Sequence, residues 1–113
     1  MAFYLLQVGY TPEAWAAMVK KPQDRIEAVR PAVEKLGGKI VSGYFAFGKY
    51  DVVAIVDMPT NVSVAAFSIA AAAGGAISAI RTTPLMTMKE GIDAMKKAGG
   101  ASYKAPTARA ARK

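Results

Sequence analysis

Residues 39–58 read KIVSGYFAF, then GK, then YDVVAIVDM: two apolar runs joined by a glycine turn, the feature that most restricts the fold. A two-residue connection joins strands only as an antiparallel hairpin, since a parallel pair needs a crossover of about a dozen residues. Gly48 suits the first central position of a type II′ turn with Lys49 second, which pairs Phe47 with Tyr50 and sets strands at 39–47 and 51–58. Alternation then assigns the faces. One is nearly all apolar, with Phe45, Val52, Gly43, Ala54, Val41 and Val56, and suits a helix-packed core. The other mixes Asp51, Tyr44, Val53, Ser42, Ile55, Ile40 and Asp57, as a pocket or a partly wet interface does.

The flanking segments complete a domain. Residues 2–10 are rich in β-formers and end at Gly9-Tyr10, a first strand. TPEAW opens a helix with Thr11 as N-cap and Pro12 at the first helical position, and Pro22 breaks or restarts it. Ile26, Val29, Val33 and Leu36 then recur at helical spacing up to Gly37-Gly38, with Pro31 expected to kink the helix. Beyond the hairpin, Thr60 or Asn61 caps a helix to about Ala73, whose alanines imply close packing on the sheet. Residues 76–83 give a fourth strand, interrupted by Pro84, and MTMKEGIDAMKK a C-terminal helix supported by an Asp93–Lys97 pair. The order β-α-β-β-α-β plus a terminal helix predicts an α+β, ferredoxin-like domain: a four-stranded antiparallel sheet with both helices on one face. The opposite face is left bare, and a second copy or a ligand is expected to cover it.

Composition narrows the chemistry. With no cysteine and no histidine, the chain has no disulfide, no zinc–sulfur site and no imidazole base, so neither metal nor cofactor is expected. The run from Met58 to Ile80 is free of charge, but Pro59, Asn61, three serines, Gly74-Gly75 and its many alanines argue against a membrane span. MAFYLLQVGY does not read as a signal peptide, so a cytoplasmic location is expected. The net charge of +7 belongs to the end of the chain: six basic residues and no acid follow Met95, against nine basic and eight acidic before it. Residues 1–98 are therefore read as the domain and 99–113 as a basic, disordered tail. Only Tyr103 is interleaved with that charge and no reading motif accompanies it, so nucleic acid is not expected as a partner.

Five residues stand out as a candidate ligand site: Asp51, Tyr50, Tyr44, Gln7 and Arg81. Asp51 near Tyr44 offers a carboxylate to a ligand hydroxyl or amine, or a base if burial raises its pKa; a turn-end carboxylate accepting backbone amides is the structural alternative. Tyr50 is expected to pack its ring on Phe47. Gln7 shares the open face with Phe3 and Leu5, where it serves a ligand or satisfies sheet-face hydrogen bonds. Arg81 either anchors an anion or forms an inter-subunit salt bridge to Asp51 or Asp57.

The stretch FGKYDVVAIVDMP, preceded by PQDRIEAVRPAVEKLGGKI, resembles the GYD-domain family, named for a Gly-x-Tyr-Asp element that falls here on Gly48, Tyr50 and Asp51. Pro22, Asp24 and Arg25 also resemble that family's pattern, and the likeness covers roughly residues 2–90. It implies a ferredoxin-like fold of the dimeric α/β-barrel type and brings no established activity with it. The resulting expectation is a homo-oligomeric, small-molecule-binding or regulatory module with its pocket at the sheet-face interface. A cofactor-independent isomerase or monooxygenase of the dimeric α/β-barrel type is the alternative. A trimeric sensor on the same strand order is the third reading, opposed by the short Gly48-Lys49 turn.

Overall fold

Four threonine or aspartate caps punctuate the computed structural model, which describes residues 2–106. The elements run β1 (Ala2–Tyr10), α1 (Pro12–Lys20), α2 (Arg25–Lys35), β2 (Lys39–Phe45), β3 (Val52–Met58), α3 (Asn61–Ala73), β4 (Ile77–Pro84) and α4 (Met88–Gly99). Thr11 accepts the Ala14 amide at the start of α1, Asp24 those of Ile26 and Glu27 at α2, and Thr60 that of Ser63 at α3. Each cap satisfies donors that the first helical turn leaves unpaired.

The strands form one antiparallel sheet in the order β2-β3-β1-β4, the arrangement expected of a ferredoxin-like α+β domain. The segment between β1 and β2 is two helices rather than one, parted at Pro22 because Asp24 caps a new helix there. α2 carries Pro31 inside it without a break. It ends in a Schellman turn, in which the Gly37 amide donates to the Glu34 carbonyl and the Gly38 amide to that of Val33. Gly37 adopts φ +87°, which a side chain would strain.

Tyr4 and Leu6 of β1, Val56 and Met58 of β3, Val33 of α2, and Val64 and Phe67 of α3 make the core. The buried Tyr4 hydroxyl donates to Asn61 Oδ1. Alternation on β1 and β3 thus sends even-numbered residues to the helices and odd-numbered ones to the opposite face.

Three local expectations are corrected. β2 stops at Phe45 and β3 begins at Val52; the Ala46 amide donates to the Asp51 carbonyl, and Gly48 does not have the positive φ that a type II′ turn requires. The Phe47–Tyr50 pair is not made, and Phe47 is fully exposed. A bulge between Ile40 and Ser42 pairs Ile40 with Val56, so Ile40 packs against the core and Val41 is left exposed, the reverse of strict alternation. In α4 the Asp93–Lys97 pair is absent: among the described residues the one ion pair is Arg30–Glu27, and α4 is held instead by a reciprocal box between Thr87 and Glu90. Pro84 closes β4 as its last paired residue, opposite Tyr4. The tail expectation for residues 107–113 lies outside the described residues.

Gly38 is a packing constraint: a Cβ built on it meets the buried Met58 sulfur and lies 2.7 Å from the Asp57 carbonyl. Gly38→Ala is expected to cost about 1–3 kcal/mol, as overpacking in a filled core does, read by urea denaturation. In α4, the Thr87 backbone amide and then its hydroxyl hold the Glu90 carboxyl below its usual range. A lowered pKa stabilises the folded form above the ordinary carboxylate value, and that contribution is lost as pH falls through the lowered one. The Cα chemical shifts of Lys89 to Gly91 should therefore drift from helical values on acidification, and at higher pH in Thr87→Ala.

Candidate functional site on the open face of the sheet

The two helices that pack on the sheet leave the odd-numbered face open: α2 packs on β2, and α3 on β4 and β3, from the even-numbered side. Register assembles this face in transverse rows. Tyr44 pairs with Val53, Val53 with Gln7 and Gln7 with Arg81, so three of the five sequence candidates fall in one row across all four strands. At about 4.8 Å per strand, the ends of that row are about 14 Å apart. The next row is Ser42, Ile55, Leu5 and Thr83, and beyond it Lys39, Asp57 and Phe3 lie side by side. A row with a phenol, a carboxamide and a guanidinium thus borders one whose two central residues, Ile55 and Leu5, are apolar. Such a strip can hydrogen-bond a small polar ligand and bury its apolar body.

Asp51 and Tyr50 stand apart, at the turn end. The Asp51 carboxylate accepts the Tyr10 amide at 2.8 Å and the Trp15 indole N–H at 3.3 Å, while the Asp51 amide donates to the Val8 carbonyl at 2.8 Å. It does not reach Tyr44. Trp15 lies edge-on to Tyr10, with ring centroids 5.8 Å apart, and tilted on Phe45 at 6.4 Å. One carboxylate therefore ties the start of β3 to the bulged end of β1 and to the first turn of α1, the structural one of its two expected roles. Tyr50 is half-buried, with the Lys49 ammonium 5.9 Å from its ring centroid, and does not pack on the exposed Phe47.

Asp57 is the residue that motif reading undervalued. Its Oδ1 is buried without a hydrogen-bond partner among the described residues, although Lys39 is directly opposite. The signal lay in its parity with Val53 and Ile55, which put a carboxylate on an otherwise apolar strand face. Among the described residues no three carboxylates gather into a metal-binding cluster, and no helix is long and apolar enough to cross a membrane.

The family model of the GYD domain matches residues 4–95, most of the chain. The chain belongs to the GYD-domain family. No curated protein and no solved structure matches it. In this GYD-domain protein, the tyrosine and aspartate of the Gly-x-Tyr-Asp element lie at the junction of hairpin, β1 and α1, beside the polar row and not within it.

Asp51→Ala should cost about 1–3 kcal/mol, because two donors lose their acceptor. Asp51→Asn should recover part of the loss through its carboxamide oxygen. Trp15, the one tryptophan in the chain, reports both by a shift in emission alongside thermal unfolding.

Proposed function

We propose that this GYD-domain protein is a homodimer joined through its open sheet faces, a small-molecule-binding or regulatory module whose ligand sits on the Tyr44–Gln7–Arg81 row at the edge of the interface. Asp51 and Tyr50 contribute by fixing the hairpin end beside that row. The observation that carries this reading is the apolar strip of half-buried Leu5, Val53 and Ile55 with exposed Phe3, on which α2 and α3, the helices packed on the sheet among the described residues, do not lie. A face four strands wide is about 19 Å across at about 4.8 Å per strand, broad enough for a second sheet to pack against it.

Charge supports the same pairing. Arg81 is an exposed cation on the outer strand β4, the Asp51 carboxylate is already engaged, and half-buried Asp57 has its Oδ1 enclosed within the protomer, which leaves its other oxygen to meet a cation. Asp57 rather than Asp51 is then the acid left to pair with Arg81 across the interface. A second uncovered surface adds to the demand for a partner: no residue of α4 is buried, and Met88, Ile92 and Met95 form an exposed apolar stripe along it.

Sedimentation velocity and native mass spectrometry test the proposal together. The wild type should sediment as a dimer at micromolar concentration, and Ile55→Asp should weaken association ~100-fold or more, by burying a charge, with its circular dichroism unchanged. Arg81→Glu should weaken the dimer and Asp57→Lys added to it should restore association in part. A wild-type protein that stays monomeric at tens of micromolar would sink the interface, and with it the pocket.

A further inference from the structure

An apolar cavity lies on the opposite side of the sheet from the proposed interface. It is a trench of about 370 Å³ between α2 and α3, floored by β1 and β3 residues such as Val8 and Ala54. Its origin is legible in α3. Where that helix faces α2 it offers Ala70, Ala71 and Gly74, too short to reach Val29 and Leu36 on the other wall. The alanines of α3, expected to pack closely, instead leave the helix layer open over the two central strands.

The wall is almost wholly apolar and carries a single charged side chain, Arg25, in the first turn of α2. Arg25 donates to the neutral Gln23 Oε1 at 2.8 Å and takes no part in the ion pair found among the described residues, Arg30–Glu27. The nearby Asp24 carboxylate is occupied in capping α2 through the Ile26 and Glu27 amides. Tyr10 lines the trench as well, and no acid does. A guanidinium beside an apolar trench, with no acid in its lining, matches an amphipathic anion: the carboxylate pairs with Arg25 and the chain displaces water from the trench.

We propose that the trench between α2 and α3 is a binding site for an apolar monocarboxylate, held by Arg25 at its charged end. At about 30 Å³ for each water-sized group, the volume takes roughly a dozen non-hydrogen atoms, the size of a medium-chain fatty acid. This site goes beyond the interface reading and does not depend on it, since the two occupy opposite faces of the sheet.

Isothermal titration of the full chain with decanoate, and separately with 1-decanol, tests the assignment, with methyl NMR locating the ligand. Decanoate is expected to bind saturably below ~1 mM, to move the methyls of Val29, Val33 and Leu36, and to leave those of Leu5 and Ile55 in place. Octanoate, two methylenes shorter, should bind ~10-fold more weakly. Arg25→Gln should weaken decanoate ~10-fold while leaving decanol within about twofold, since only the anion loses its charge-assisted pair. Ala71→Phe should fill the trench and abolish binding of both without lowering the melting temperature. Absence of saturable binding by the wild type, equal decanoate affinity in Arg25→Gln, or unaltered binding in Ala71→Phe would each overturn the proposal.

Discussion

The antiparallel pairing of β1 with β3 is the constraint on which the rest of the structure depends. The two strands run side by side from Ala2 opposite Met58 to Val8 opposite Val52, and both outer strands are hung from them. Their shared parity gives Tyr4, Leu6, Val56 and Met58 to the helix layer and Phe3, Leu5, Ile55 and Asp57 to the other face. A one-residue slip would exchange the two sets and place Asp57 in the core. The end of this pairing is fixed by Asp51, which uses its backbone amide on Val8 and its carboxylate on Tyr10 and Trp15.

Two helices cover one side of a four-stranded sheet, and they cover it incompletely. α2 sits over β2 and α3 toward β4, which leaves the trench over the central strands. The other face is covered by neither α2 nor α3, and α4 adds an exposed apolar stripe with no buried residue of its own. Apolar area left in water lowers stability relative to the same area buried, so both surfaces favour an occupant. The shapes differ: the open face is broad and shallow, suited to another protein surface, and the trench is narrow and bordered by one cation, suited to a small amphiphile.

In the Gly-x-Tyr-Asp element, neighbours in the sequence and neighbours on the sheet differ. A phenol beside a carboxylate at a hairpin mouth suggests ligand chemistry when read along the chain. In three dimensions the carboxylate is the acceptor that lets β1 bulge at Gly9-Tyr10 and turn into α1 without leaving the Tyr10 amide unpaired. Gln7, Tyr44 and Arg81, which share no local motif, are brought into one row because strand register counts in steps of two.

Local chemistry written in the chain determined the elements. Thr11-Pro12 and Thr60 started helices, Gly37-Gly38 and Gly74-Gly75 ended them, and period-two alternation named the buried residues of β3, because caps, turns and amphipathic faces act over a few neighbouring positions. Only the tertiary structure decided what depends on distant partners. The bulge that turned Ile40 inward and Val41 outward came from fitting β2 against β3, and the wider hairpin turn from Asp51 engaging β1 and Trp15 across some forty residues. The trench arose in the same way, from two helices meeting one sheet at a separation that neither helix encodes alone.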